Sequence, residues 1–306
     1  MKARALALTG PETAPAVVDV EVPAPGSGEV TLAVEAATLN GIDGAIAAGH
    51  LWGMPHEFPV ALGRDVAGVV TAVGEGVQGV GVGDRVAGVI AGMTLGPGSV
   101  GSSLTIASDV LARIPDGVPP EAAASAGLAG CTAVDVVAAL DTALDIVPGS
   151  TVLVTGATGG VGVFVVQLLA AAGVHVLATA RDEEAAAFAL ALGAVEAVGY
   201  DQLADVSAVD AVAHLAGDAS ALGRLVKPDG AFVSILGADQ DAVGRGDVVA
   251  VTLMATTEAA KVATLLEMIA EEKLRVPVTT YPLEAASEAF AAFGGHKLGK
   301  VVVVTR

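Results

Sequence analysis

The sequence predicts an α/β protein, with a doubly wound parallel sheet in the middle of the chain and a smaller, mostly-β region built from its ends. Three observations carry this. Ser150 to Arg181 reads as strand, glycine-rich turn, helix and strand. From Glu121 onward helical and strand segments alternate, the rhythm of a parallel sheet with crossover helices. Everything before Pro115 to Pro120 consists of short alternating runs cut by glycine and proline.

Taken in order, Lys2–Leu8, Val17–Val22 and Glu29–Ala37 read as strands, with a turn at Gly10-Pro11 and another at Pro23 to Gly28. Ala67–Val73 and Arg85–Ile90 continue the β character, and five glycines from Gly74 to Gly83 mark tight turns between them. Ala122–Leu140 is helical, interrupted by Gly127 and Gly130. After the central unit come helices over Glu183–Leu192 and Ala219–Val226, and strands over Val195–Val198, Ala208–Leu215, Ala231–Leu236 and Val248–Leu253. Lys227 to Gly230 reads as a turn, Thr257–Lys273 as a long helix, Leu283–Phe293 as a last helix and Lys300–Val304 as a last strand. That final strand stands beyond the α/β region and needs a partner sheet. The economical solution is that the chain returns to its first domain, giving 1–120 with 274–306 as one domain and 121–273 as the other.

The central stretch carries the first functional signal. A β-branched run, Thr151 to Thr155, leads into Gly156, Ala157, Thr158, Gly159, Gly160, Val161 and Gly162, and an apolar helix follows. A turn with few Cβ atoms lets the backbone approach a pyrophosphate, while the free N–H groups of the helix N-terminus face the anion. The pattern is Ala157-x-Gly159-x-x-Gly162, so alanine stands where the usual fingerprint begins with glycine. A membrane span over Gly162–Ala180 is disfavoured by Gly173 inside it and the lack of a flanking Lys/Arg cluster.

Composition narrows the classes further. The chain has 306 residues, 53% of them hydrophobic but only 3% aromatic, so it has ample core material and few rings for stacking bases. With 15 basic against 34 acidic side chains the formal charge is −19, which repels nucleic acid and anionic membrane. A single cysteine, Cys131, excludes a disulfide framework and a cysteine-rich metal site. The N-terminus lacks the apolar segment of a signal peptide, so a cytoplasmic location is expected.

Four stretches together resemble one family. They are Ala37 to Asp43; Leu62 to Val70 leading to Val73-Gly74 and Gly83 to Val86; the glycine turn; and the closing Gly299 to Val302. In these the chain resembles the zinc-independent quinone oxidoreductase and enoyl reductase branch of the medium-chain dehydrogenase/reductase superfamily. The resemblance implies a GroES-like catalytic domain from both chain ends, a central Rossmann domain binding a nicotinamide cofactor, and a homodimer. Zinc-dependent members carry a Cys near Asn40 to Asp43 and a His between Gly63 and Asp65, where this chain has Arg64. No metal site is expected.

The second strand of the central unit ends at Thr179-Ala180 and is followed by Arg181. An acid there would accept a ribose 2′-OH; small residues and a guanidinium suit a 2′-phosphate, which points to NADP(H). A structural reading stays open, in which Arg181 pairs with Asp182, Glu183 or Glu184. The resemblance also implies that Thr132 faces the nicotinamide, that Asn40 lies in the substrate cleft and that Lys300 is a basic residue near the cofactor phosphates. A capping Thr132, a turn Asn40 and a solvated Lys300 are the bland alternatives. Asp43 and Asp65 are expected to be structural, bonding turns or Arg64 and Arg85, and His214 is expected to be a core or edge histidine.

Without a metal to polarise a carbonyl, conjugated acceptors are favoured, since hydride can enter the β-carbon of an enone or a quinone ring. The expected substrate is therefore a small hydrophobic quinone or α,β-unsaturated carbonyl compound, reduced by NADPH. An enoyl-thioester reductase and a non-catalytic NADPH-binding protein are the alternatives. Some relatives place a tyrosine after the Asn/Asp motif, but this chain reads Gly49-His50-Leu51-Trp52. His50 or water is then the proton source, and Trp52 a wall of the substrate site.

Overall fold

The computed structural model describes residues 1–90, 92 and 94–305; Ala91, Met93 and Arg306, which fall inside the expected catalytic domain, lie outside the described residues. Two compact units are present, Met1–Leu128 with Thr257–Arg306, and Ala129–Thr256.

The first unit begins with β1 (Lys2–Leu8), β2 (Ala16–Glu21), β3 (Glu29–Thr38), α1 (Gly41–Ala47), β4 (Val60–Ala61), β5 (Asp65–Val73), β6 (Arg85–Val89), β7 (Ser103–Ala107), β8 (Leu111–Arg113) and α2 (Pro120–Ser125). β3 is its spine. It pairs antiparallel with β5 and with β7, and its ten residues run nearly buried because sheet neighbours cover both edges. Leu32, Leu39, Val66 and Leu95 fill the core beneath it. The strands at Ser103–Ala107 and Leu111–Arg113 add to those expected: the first alternates Ser, Leu, Thr and Ile, with Leu104 and Ile106 in the core, and the three-residue second is decided by pairing to β6.

The second unit contains α3 (Cys131–Leu144), β9 (Thr151–Val154), α4 (Gly162–Ala171), β10 (His175–Ala180), α5 (Glu183–Ala191), β11 (Glu196–Gly199), β12 (Val209–His214), α6 (Ala219–Gly223), β13 (Val226–Ser234), α7 (Gln240–Val243) and β14 (Val249–Thr252). The strands form one sheet in the order β11-β10-β9-β12-β13-β14, every pair parallel. The order reverses between β9 and β12, the switch point at which such sheets bind ligands. Leu153, Val212 and Phe232 are fully buried there. The expected turn at Lys227 to Gly230 lies inside β13 as an irregularity of its pairing with β12, with Asp229 at φ 62°. Val226 therefore belongs to a strand rather than to the preceding helix.

The chain then returns through α8 (Ala259–Ala270), β15 (Val278–Pro282), α9 (Ala286–Gly294) and β16 (Lys300–Val304). β16 pairs antiparallel with β3 and parallel with β15, so the last strand completes the first unit's sheet as expected. The boundaries differ from 120/121 and 273/274. α8 packs on β8 and β6 and α2 on β3 and β5, so both helices belong with the first unit. Pro120–Leu144 is long and apolar enough to cross a membrane by length and composition, and 67% of its most apolar window is buried inside the protein, as in a core helix.

Candidate functional site

In the second unit the site is made of backbone. Thr155 ends β9 fully buried, and its Oγ1 accepts N–H bonds from Leu215 and Ala216 at 3.0 and 3.2 Å, tying the ends of β9 and β12 together. Gly156 follows at φ 63°, and its N–H donates to Thr179 Oγ1 at 3.0 Å. A Cβ on Gly162 would stand 2.3 Å from the Gly156 oxygen and 2.5 Å from that of Ala157, so only glycine lets α4 start this close to the turn. Thr158, Gly159, Gly160 and Val161 are half-buried, and no side chain caps α4. The Val163 and Phe164 N–H groups bond the Gly159 and Val161 carbonyls, so the N–H groups left to face an anion are those of Gly160, Val161 and Gly162, and with them the turn fits a pyrophosphate.

Tyr200, just beyond β11, was not singled out by sequence. Its hydroxyl accepts from Thr179 Oγ1 at 3.0 Å and lies 3.4 Å from the Gly156 N–H, over the turn, while the ring stays 44% exposed. Its distance along the chain hid this; parallel pairing of β10 and β11 creates it. Beside it, Leu203, Val206, Gly217, Asp218, Leu222, Arg224 and Leu225 complete a cavity of about 610 Å³. Arg181 follows β10 and is exposed, and Asp182 caps α5 by accepting from the Ala185 N–H at 2.8 Å. Thr132, 7% exposed, lies in the first turn of α3 beside the buried Cys131. His214 is a satisfied core histidine, bonded through Nδ1 to Ser234 Oγ and through Nε2 to the Gly217 carbonyl.

In the first unit the site is made of charged side chains. Asp65 opens β5 fully buried, and its carboxylate accepts from Thr38 Oγ1, from Asn40 Nδ2 at 2.9 Å and from the Leu128 N–H at 2.7 Å. Lys300, at the start of β16, donates to Asn40 Oδ1 at 2.8 Å and lies 3.5 Å from Asp65. Asp43 accepts from the N–H groups of Asn40 and Gly63 at 2.8 and 2.7 Å. Burial pushes its carboxyl up to about 6, against the pull of those two N–H groups, and the nearby Asp65 charge adds to the rise. Burial also lowers the Lys300 ammonium, opposed by the Asp65 charge.

Two expectations change here. Lys300 is 3% exposed and its charge is engaged by Asp65 and Asn40, so it is neither solvated nor a source of free positive field. Asp65 bonds Thr38, Asn40 and Lys300 rather than an arginine, and Arg85 instead donates to the Val118 carbonyl at 2.9 Å. Asp43 does bond turn amides, as expected. Asn40 is 8% exposed, with its amide oriented from both sides. His50 is exposed in the turn after α1. Trp52 packs partly buried on the core, with ring centroids 5.1 Å from His56 and 5.5 Å from Phe58. Among the described residues, no three of His, Cys, Asp and Glu group so as to hold a metal ion.

Comparison with known proteins gives matches along most of the chain. Residues 26–116 match the alcohol dehydrogenase GroES-like domain, and residues 192–303 match the family described as zinc-binding dehydrogenase. The chain is similar to the chloroplast envelope quinone oxidoreductase homolog of Arabidopsis thaliana, 31% identical over 313 residues that cover 94% of this chain and 92% of that protein. It is also 32% identical over 325 residues to a mycocerosic acid synthase-like polyketide synthase of Mycolicibacterium smegmatis, covering 94% of this chain. There the chain spans only 14% of the relative's length. Among solved structures, the quinone oxidoreductase from Coxiella burnetii superposes with a TM-score of 0.88 at 26% identity, over 100% of both chains.

Proposed function

The chain belongs to the medium-chain dehydrogenase/reductase superfamily, in its quinone oxidoreductase branch, and from that premise we propose that it is an NADPH-dependent reductase of quinones or α,β-unsaturated carbonyl compounds. Membership makes it an oxidoreductase that binds a nicotinamide cofactor. The observation that supports NADPH is the end of β10, where Thr179-Ala180-Arg181 stands in place of an acid. A carboxylate there would repel a 2′-phosphate, and an exposed guanidinium attracts one. The glycine turn holds the pyrophosphate, and the cavity beside Tyr200 takes the adenosine end.

Bound, the cofactor supplies a hydride; the protein's own part is positioning and charge. Asn40 is held by Lys300 on its oxygen and by Asp65 on its nitrogen, which leaves one amide hydrogen to orient an acceptor oxygen. Thr132 serves the nicotinamide side and Trp52 an apolar wall for the acceptor. His50 is solvent-exposed, so water is the simpler proton source. A homodimer through the open edge of β14 fits this reading, since Val249 on it is 47% exposed and Met254, just beyond it, 91%.

A second reading, an enoyl-thioester reductase, is favoured by the polyketide synthase relative. One experiment separates them: oxidation of NADPH and of NADH with a benzoquinone, a simple enone and a crotonyl thioester, by wild type and Arg181→Ala. The proposal expects turnover of quinone or enone, and a Michaelis constant for NADPH that rises at least tenfold in the variant while that for NADH barely moves. Turnover confined to the thioester supports the second reading. Tight NADPH binding without any turnover sinks both and leaves a non-catalytic binding protein.

A further inference from the structure

Arg64 is the one basic side chain at the charged cluster that the functional reading above does not use. It follows Gly63, whose N–H is fixed by Asp43, and precedes Asp65, which holds Asn40. The residue is 5% exposed. Its guanidinium nevertheless makes no hydrogen bond and no ion pair among the described residues, in contrast to Lys300 beside it, which has both. Ser99 Oγ is the fully enclosed side-chain polar atom without a partner, and no Arg64 nitrogen is so enclosed, so the tip still reaches an opening while the stem is buried. With its stem buried and its tip at an opening, the guanidinium faces the through-space charge of Asp43 and still has N–H donors left for a ligand there.

The charge count says what kind of ligand. Arg64 and Lys300 carry two positive charges and Asp43 and Asp65 two negative ones, so the cluster has no surplus charge to draw in a preformed anion. It offers unused donors to an oxygen that enters neutral and gains charge during the reaction. We propose that Arg64 is a catalytic residue that binds the carbonyl oxygen of the acceptor and holds the oxyanion formed when hydride arrives. This rests on the conjugated-acceptor reading above. When the β-carbon of an enone gains the hydride, a C–H bond forms there and the C=C pair moves to the Cα–carbonyl bond. The carbonyl π pair moves to oxygen, against Arg64. A proton from water then adds to Cα, the oxygen returns its pair, and the saturated ketone leaves. The cofactor is oxidised by two electrons and the acceptor reduced by two. Such a donor, aimed where charge develops and already desolvated, takes the part a Lewis acid would otherwise play.

The test uses Arg64→Met in the cofactor-loaded protein. Removing one such donor lowers kcat by roughly a hundred- to a thousandfold, with the Michaelis constant for NADPH unchanged. In Arg64→Ala, millimolar guanidinium salt restores part of the lost rate. A readout independent of turnover is para-nitrophenol bound to the protein loaded with oxidised cofactor. Wild type binds it as the coloured phenolate at a pH where the free phenol is protonated, and Arg64→Met does not. Because the cation makes no hydrogen bond or ion pair within the protein and feels only the through-space charge of Asp43, Arg64→Met melts close to the wild-type temperature. A variant that melts lower, with nitrophenol ionisation unchanged, would make Arg64 a structural counter-charge for Asp43 and overturn the proposal. If wild type reduces no conjugated acceptor, the functional reading fails, and ionisation of the bound phenol alone decides for or against Arg64.

Discussion

The glycine turn of the second unit and the charged cluster of the first are built by opposite means. The turn, Gly156 to Gly162, is a backbone device; its requirement is the absence of side chains, and all its parts lie within seven consecutive residues. The cluster of Thr38, Asn40, Asp43, Asp65 and Lys300 is built around charged and polar side chains, and its two central members, Asn40 and Lys300, are 260 residues apart. A backbone device is robust to most substitutions and fragile to a single added methyl. A buried charge network is satisfied as a whole, and removing any member leaves an uncompensated group.

Lys300→Met should show the largest effect. It deprives the buried Asp65 carboxylate of its counter-charge, and loss of one partner of a buried pair costs about 3–5 kcal/mol. Urea unfolding checks this; a loss below about 1 kcal/mol would mean that Thr38, Asn40 and the Leu128 N–H suffice for Asp65, and that the cluster is less cooperative than described. Gly162→Ala should come next, at about 2–3 kcal/mol, because overpacking against the fixed carbonyls of Gly156 and Ala157 forces the backbone apart. Cofactor affinity measured by fluorescence titration should fall with it, whereas Thr158→Ala, outside that close contact, should change neither by much.

A pH dependence of the opposite sign to the usual one is of the same order, and only part of it falls between pH 4.5 and 7. Asp43 rises from 3.8 to about 6 on folding, so the folded protein holds this proton more tightly than the unfolded chain. The stabilisation from its protonation is complete below about pH 4 and is lost as pH rises through about 6, on the order of 2–3 kcal/mol across that window. Asp43→Asn removes the dependence. Denaturant melts of both proteins at pH 4.5 and 7 measure it, and equal pH slopes would contradict the burial argument.

The same contrast explains what was legible in the sequence. The strand, turn and helix from Thr151 to Ala171 could be read directly, because period, length and glycine position are local signals. The return of Lys300–Val304 to the first sheet followed from an isolated strand needing a partner. The cluster was legible only as separate residues. Asp65 pairs with Lys300 because β3 lies between β5 and β16, a fact of topology that no window of sequence contains. Tyr200 was hidden for the same reason, its hydroxyl reaching Thr179 across parallel strands. Ser103–Ala107 does carry the alternation of a strand, with Leu104 and Ile106 in the core, and was legible; the three residues of Leu111–Arg113 are a strand only through pairing.

Transfer of hydride to the carbon of a conjugated acceptor is tested most directly with NADPH carrying deuterium at nicotinamide C4, on either face, and an enone as acceptor. With the label on the transferring face, the saturated ketone should carry one deuterium, at its β-carbon, as read by NMR. Saturated ketone without label from either form, or NADPH consumed with the enone intact, would contradict it.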